Sequence, residues 1–205
     1  MSNNEEIKDS ELTESVEENE EEKVQDTKSM VIHEIFDFVK IVVLAFVVAF
    51  VLTHFLIVNA KVPTGSMNDT IPTGARIMGN RLAYKFGDPE RLDIIIFKAP
   101  DSPEENYVKR LIGLPGDKIH IEDSKITITP ANGKEFTLKE DYLKEEWYDS
   151  NGPYDYEVPE DCYFMLGDNR NNSNDARKWK NTYVKRDAII GKVEFEYFPN
   201  IKWLG

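Results

Sequence analysis

From Ile41 to Ala60 the chain runs for twenty residues (IVVLAFVVAFVLTHFLIVNA) without a formal charge. As a helix rising about 1.5 Å per residue, this stretch extends about 30 Å, the thickness of a bilayer's hydrocarbon core. A soluble fold would have to wrap a rod that is apolar on every side, so the run reads as a retained transmembrane helix. A cleavable leader does not fit, because the upstream flank is acidic, the run is long and no small-x-small site follows it neatly. Just before it, Ile32, Ile35, Phe36 and Val39 recur at helical spacing. That predicts an amphipathic lead-in lying along the membrane surface. Lys23, Lys28 and Lys40 on one side of the span, against Lys61 and Arg76 on the other, leave its sidedness open.

Charge is distributed as unevenly as hydropathy. The 205 residues carry 38 acidic and 25 basic side chains, a formal net charge of −13. Residues 1–30 hold eleven acids and three lysines, so −8 of that total belongs to a tail with no aromatic residue. Such a tail cannot offset its chain entropy by burial, and it is predicted to be a disordered, solvating extension. The predicted organisation is therefore an acidic tail (1–30), a lead-in and single span (31–60), and a nearly charge-balanced body (61–205). The absence of a basic block argues against nucleic-acid binding. Cys162, alone, excludes an internal disulfide or a cysteine-built metal site and reads as a small buried residue.

Beyond residue 60 the pattern is rich in β-branched and aromatic residues. Short runs at Asp93–Lys98, Tyr107–Ile112, Lys118–Glu122, Lys125–Thr129, Tyr163–Leu166 and Lys192–Phe198 are separated by Gly, Pro and Asn turns. This predicts a mainly β body, an antiparallel sheet or barrel, with no βαβ alternation. Leu138–Trp147 is the one stretch predicted to form a sizeable helix there. Residues 123–158, more polar and turn-rich, read as a small insertion.

Hydrolytic chemistry has few candidates. Of three histidines, His33 precedes the span, His54 lies within it, and His120 alternates with Ile119 and Ile121 as a strand histidine would. No metal-binding or phosphate-cradling motif occurs, so neither a metal nor a cofactor is expected. Serine and lysine remain, in three local contexts. These are Pro63-Thr64-Gly65-Ser66-Met67, the run Tyr107 to Asp117 in which Lys109 interrupts an apolar strand, and the dense polar block Gly167 to Arg177.

In this order, behind a single N-terminal span, the three blocks resemble the type I signal peptidases, membrane-bound serine proteases with a Ser/Lys dyad. The resemblance covers nearly all of residues 60–200 and is nearest to the compact, Gram-positive-like members. It implies Ser66 as nucleophile and Lys109 as general base, with Ser173 orienting the lysine. It also implies that Thr64 and the Ser66 N–H serve the oxyanion, while the pairs Asp175–Arg177 and Arg110–Asp168 support the site. Partners would be preproteins bearing signal peptides with small residues (A-x-A) before the cut, and the lipid bilayer. The enzyme would be a monomer at the cell membrane, with its N-terminus cytoplasmic and its body outside. The chain departs from the family pattern at Asp69, where proline is common, at Leu92, where glycine is common, and at Ala176, where many members have serine.

Physical chemistry is compatible with those roles. Lysine is a base only when neutral, and burial among apolar neighbours can lower its ordinary pKa of about 10.4 by several units. Tyr107 and Leu111 are expected on the strand face of Lys109, with Val108 and Ile112 on the other. Ser66 follows Ala60 by six residues, which tethers it within about 20 Å of the end of the run. Met67, Ile71 and Phe86 are candidates either to dip into the membrane interface or to pack in the core. Two other readings stay open: a self-cleaving Ser/Lys regulator of the same fold, and a non-catalytic membrane-anchored binding protein.

Overall fold

The computed structural model describes residue 30, residues 33–148 and residues 152–205. The expected acidic tail, Met30 apart, and Ile32 of the lead-in lie outside the described residues. The chain divides into two units, Met1–Val51 and Leu52–Gly205. Among the described residues one helix, α1 (His33–Leu56), is long and apolar enough to cross a membrane. It runs without a break from lead-in to span, and Lys40 meets Asp37 one turn back at 3.0 Å, pairing two of the charges in its first turns. Its last turn, Leu52–Leu56, widens to a π-helix.

The apolar run does not stay helical to Ala60. Ile57–Lys61 forms strand β1, which pairs antiparallel with β2 (Arg76–Asn80). The β-branched Ile57 and Val58 suit a pleated strand, and Val58 buries against Ile77 and Ile96. The four terminal residues of the expected span thus belong to the β body. Apolarity alone cannot distinguish a bilayer from a protein core.

Next come β3 (Ile94–Lys98) and β4 (Asn106–Gly113), and then a second, four-stranded sheet: β5 (Lys118–Glu122), β6 (Lys125–Thr129), β7 (Phe136–Thr137) and β8 (Tyr154–Glu157). The chain returns to the first sheet with β9 (Cys162–Leu166), β10 (Val184–Lys185), β11 (Ile189–Phe198) and β12 (Lys202–Trp203). The first sheet has the order β1-β2-β11-β3-β4-β9-β10, with β12 on β11, and its pairs are antiparallel. It is an open sheet with β1 and β10 at its edges. The second sheet runs from Lys118 to Glu157, and the stretch 123–158 expected as an insertion supplies three of its four strands.

The sequence of β3 accounts for its central place. Ile94 and Ile96 point into one buried cluster, Ile95 and Phe97 into another. A strand covered on both faces reads as an unbroken apolar run, and each such side chain buried contributes about 1.5–3 kcal/mol. In β5 and β6 the alternation is strict: Ile119, Ile121, Ile126 and Ile128 join the larger cluster while Lys118, Glu122 and Lys125 face out.

The helix expected over Leu138–Trp147 does not form. Residues 138–148 run as an irregular strap, with Leu138 and Trp147 buried in the larger cluster and Glu140 and Tyr142 bonded to Arg170. These tertiary contacts override the local helical propensity.

Candidate active site

Ser66 lies in the turn-rich loop between β1 and β2, and the loop is pinned from several directions. Met67 and Ile71 are fully buried in the smaller cluster, so the core takes both, and only Phe86 of the three interface candidates is exposed. The Asn169 N–H donates to the Ser66 carbonyl and its side-chain amide to the Gly65 carbonyl, both at 3.0 Å. Thr70 Oγ1 donates to Asp168 Oδ2 at 2.6 Å, and the Asp168 N–H reaches Met67 Sδ at 3.4 Å. Asp69 turns this loop with φ 74, a left-handed value closed to proline.

Lys109 comes from the middle of β4, where it is 4% exposed and Ser66 is 8% exposed. Its Nζ donates to Ser66 Oγ and lies 5.8 Å from the centroid of the Tyr107 ring on the same strand face. Thr64 Oγ1 is 3.4 Å from Ser66 Oγ. Burial lowers the Lys109 ammonium to about 8; Asp175 and Asp168 oppose that fall and Arg177 adds to it.

The block from Gly167 onward packs against both residues. Gly167 is required there: a Cβ would collide with Ser173 Oγ and the Ser66 carbonyl. Asp175, fully buried, accepts the Gly167 N–H at 3.0 Å and two guanidinium bonds from Arg177 at 2.8 Å. Burial alone would raise the Asp175 pKa, but Arg177, the Gly167 N–H and nearby Ser173 bring it below the usual carboxylate range. Ser173 is 2% exposed; its Oγ makes no well-formed hydrogen bond, although it is near enough to Asp175 to favour that charge. Arg110 grips Asp168 at 2.9 and 2.6 Å and donates at 2.8 Å to the carbonyl of Leu92. Leu92 holds φ 76, a left-handed value that favours glycine, and its side chain packs on the larger cluster.

Ser66, Lys109, Thr64, Ser173, Asp168, Arg110, Asp175 and Arg177 are therefore neighbours. Sequence reasoning gave no role to Asn169 or Arg170, although both stand in the dense polar block, and none to Thr70. Glu140 and Tyr142 were hidden in the stretch read as a helix. His120 stands on the second sheet with Nδ1 2.8 Å from Asp155, whose hydrogen bond raises its pKa. Cys162 is half-buried in β9. Among the described residues no cluster of His, Cys, Asp and Glu is arranged to hold a metal.

A groove of about 890 Å³ opens beside the Ser66–Lys109 contact, lined by residues 59–66, residues 105–109, Asn172 and Asn174. Both main-chain walls have an unpaired side. β1 is an edge strand, and β9 pairs with β4 only from Arg110 onward, which leaves Asn106–Lys109 bonded to β3 alone.

A family model described as signal peptidase, peptidase S26, matches residues 35–198. The chain belongs to the S26 signal peptidase family. Signal peptidase I P of Bacillus subtilis subsp. natto is 35% identical over 175 residues, covering 80% of this chain and 90% of its own. Signal peptidase I of Bacillus caldolyticus is 38% identical over 157 residues, covering 71% of this chain and 81% of its own. A crystal structure of a signal peptidase I from Enterococcus faecalis V583 is 34% identical, covers 52% of this chain and 97% of its own, and has a TM-score of 0.42. The protein is thus a hydrolase with signal peptidase I activity, anchored in a membrane by α1 and carrying a large antiparallel β body.

Proposed function

We propose that this signal peptidase cleaves preproteins by acyl transfer, with Ser66 as nucleophile and neutral Lys109 as its general base. The observation that carries the reading is a buried lysine donating to a buried serine at the head of an open groove. With its pKa near 8, about a tenth of Lys109 is neutral at pH 7 and about half at pH 8. The neutral amine takes the Ser66 proton as Oγ attacks the scissile carbonyl, forming the C–O bond. Thr64 Oγ1 and the Ser66 N–H supply the oxyanion with two donors, each contributing about 3 kcal/mol in the transition state. The tetrahedral intermediate collapses, Lys109 returns the proton to the leaving amine, and the C–N bond breaks. Lys109 then deprotonates the water that adds to the acyl carbonyl, the C–Oγ ester bond breaks, and Lys109 returns the proton to Ser66 Oγ. Ser173, buried against Gly167, offers the hydroxyl that orients the lysine.

Substrate enters extended, its main chain pairing with the free sides of β1 and of Asn106–Lys109. Side chains on one face of such a strand would meet Ala60 and Val62, which line the groove, and small residues before the cut suit that wall. The span holds the body at the bilayer, with the N-terminus cytoplasmic and the β body outside as a monomer. Phe198, Ile201 and Trp203 are exposed apolar side chains of the body, of a kind that a membrane interface accommodates. The test is cleavage of a preprotein with an A-x-A site by the full chain in lipid. Ser66→Ala and Lys109→Ala are each expected to lose at least about a thousandfold in kcat. Wild-type rates in either variant refute the assignment.

A further inference from the structure

The strap of residues 138–148 lies against the block that supports Ser66 and Lys109. Arg170 is 2% exposed, donates from Nε to the Gly167 carbonyl at 2.9 Å, and spends the rest of its guanidinium on the strap. Nη1 pairs with Glu140 and Nη2 donates to Tyr142 Oη at 3.1 Å, while that hydroxyl donates to Glu140 at 2.9 Å. The Tyr142 ring lies 4.0 Å under the Arg110 guanidinium, and Trp147 is 5.2 Å from that of Arg177. The Tyr148 N–H and Glu146 carbonyl bond to the Asn171 side chain. Gly167 is consequently held at both ends, its N–H by Asp175 and its carbonyl by Arg170. Its α-carbon is pressed against Ser173 and the Ser66 carbonyl.

We propose that Glu140 is a positioning residue for the peptidase reaction, acting through Arg170 to fix Gly167, on which Ser66 and Ser173 rest. Arginine cannot shed its charge, so Arg170 needs a buried anion, and the strap supplies one. Burial works against that charge, but Glu140 and Tyr142 restore it. Without Glu140 the guanidinium either draws water beneath the strap or turns to Asp175 across Gly167, and both release the Gly167 carbonyl. The effect reaches Lys109 through Arg177, whose Nη2 donates to the Arg170 carbonyl at 2.9 Å. Around Lys109, Asp175 and Asp168 favour its charged form and Arg177 opposes it. A loosened Arg177 therefore leaves Lys109 more basic and less often neutral.

This inference rests on the Ser66/Lys109 reading, and its test separates the two. Glu140→Gln, Glu140→Asp and Tyr142→Phe are compared with wild type as full chains in lipid, measuring kcat, KM and the pH dependence of preprotein cleavage. Glu140→Gln is expected to lower kcat about tenfold or more with KM within about twofold, since small misplacements of reacting groups cost that much. Its rising pH limb should move to higher pH, so that activity lost near neutrality returns in part in alkali. Tyr142→Phe should do the same more weakly, and Glu140→Asp should recover part of the rate. Should the folded variants keep wild-type kcat and pH limb and lose only thermal stability, Glu140 is a structural tie and the proposal fails alone. If Ser66→Ala still cleaves, the dyad reading fails and takes the proposal with it.

Discussion

A protonated Lys109 inside this site has little water to share its charge, and the protein bears the cost in stability. The folded-state value of about 8 against an ordinary 10.5 corresponds to roughly 3 kcal/mol. That destabilisation is complete below the folded pKa, fades as pH rises from there to the unfolded value, and is gone above it. Lys109→Met is therefore expected to raise unfolding stability by about 3 kcal/mol at pH 7 and by nearly nothing at about pH 11, while removing activity. Chemical denaturation at the two pH values measures this; an equal gain at both contradicts a desolvated lysine. Single residues of this kind were legible in the sequence because they break a pattern, a lysine in an apolar strand or a serine between turn residues. Asn169, Arg170 and Glu140 break none, and their roles come from contacts with residues tens of positions away.

Elements were legible where local pattern and tertiary context agree. The strands around 94–98, 106–113, 118–122, 125–129 and 162–166 follow β-branched runs and were readable as such. The end of the span was not, because Ile57–Val58 is as apolar as the helix before it and only pairing with β2 marks it as strand. Nor was the strap, whose helical composition yields to Arg170 and the core. In the loop bearing Ser66, the backbone angle at Asp69 decides which residues fit. With φ 74 at Asp69, Asp69→Gly is expected to gain about 0.5 kcal/mol, whereas Asp69→Pro forces φ to about −65° and loses at least about 2 kcal/mol. Thermal unfolding of both variants checks the sign. A proline variant as stable as wild type would mean that the loop does not turn left-handed at 69.

On the scale of the whole molecule, a net charge of −13 describes an acidic terminal segment, an uncharged apolar run and a nearly balanced β body added together. Joining them is what a peptidase needs if its substrates are themselves tethered to a bilayer. A groove flanked by unpaired strand sides lies close in the chain to the end of α1. Cleavage turns on one proton held by one lysine. The measurement that tests it most directly is the pH–rate profile of kcat/KM for preprotein cleavage by the full chain in lipid vesicles. The rate should climb about tenfold per pH unit below neutrality and level off through an apparent pKa near 8, the value burial gives Lys109. A profile flat from about pH 6 to about pH 9 would show that no group with that proton affinity limits the reaction.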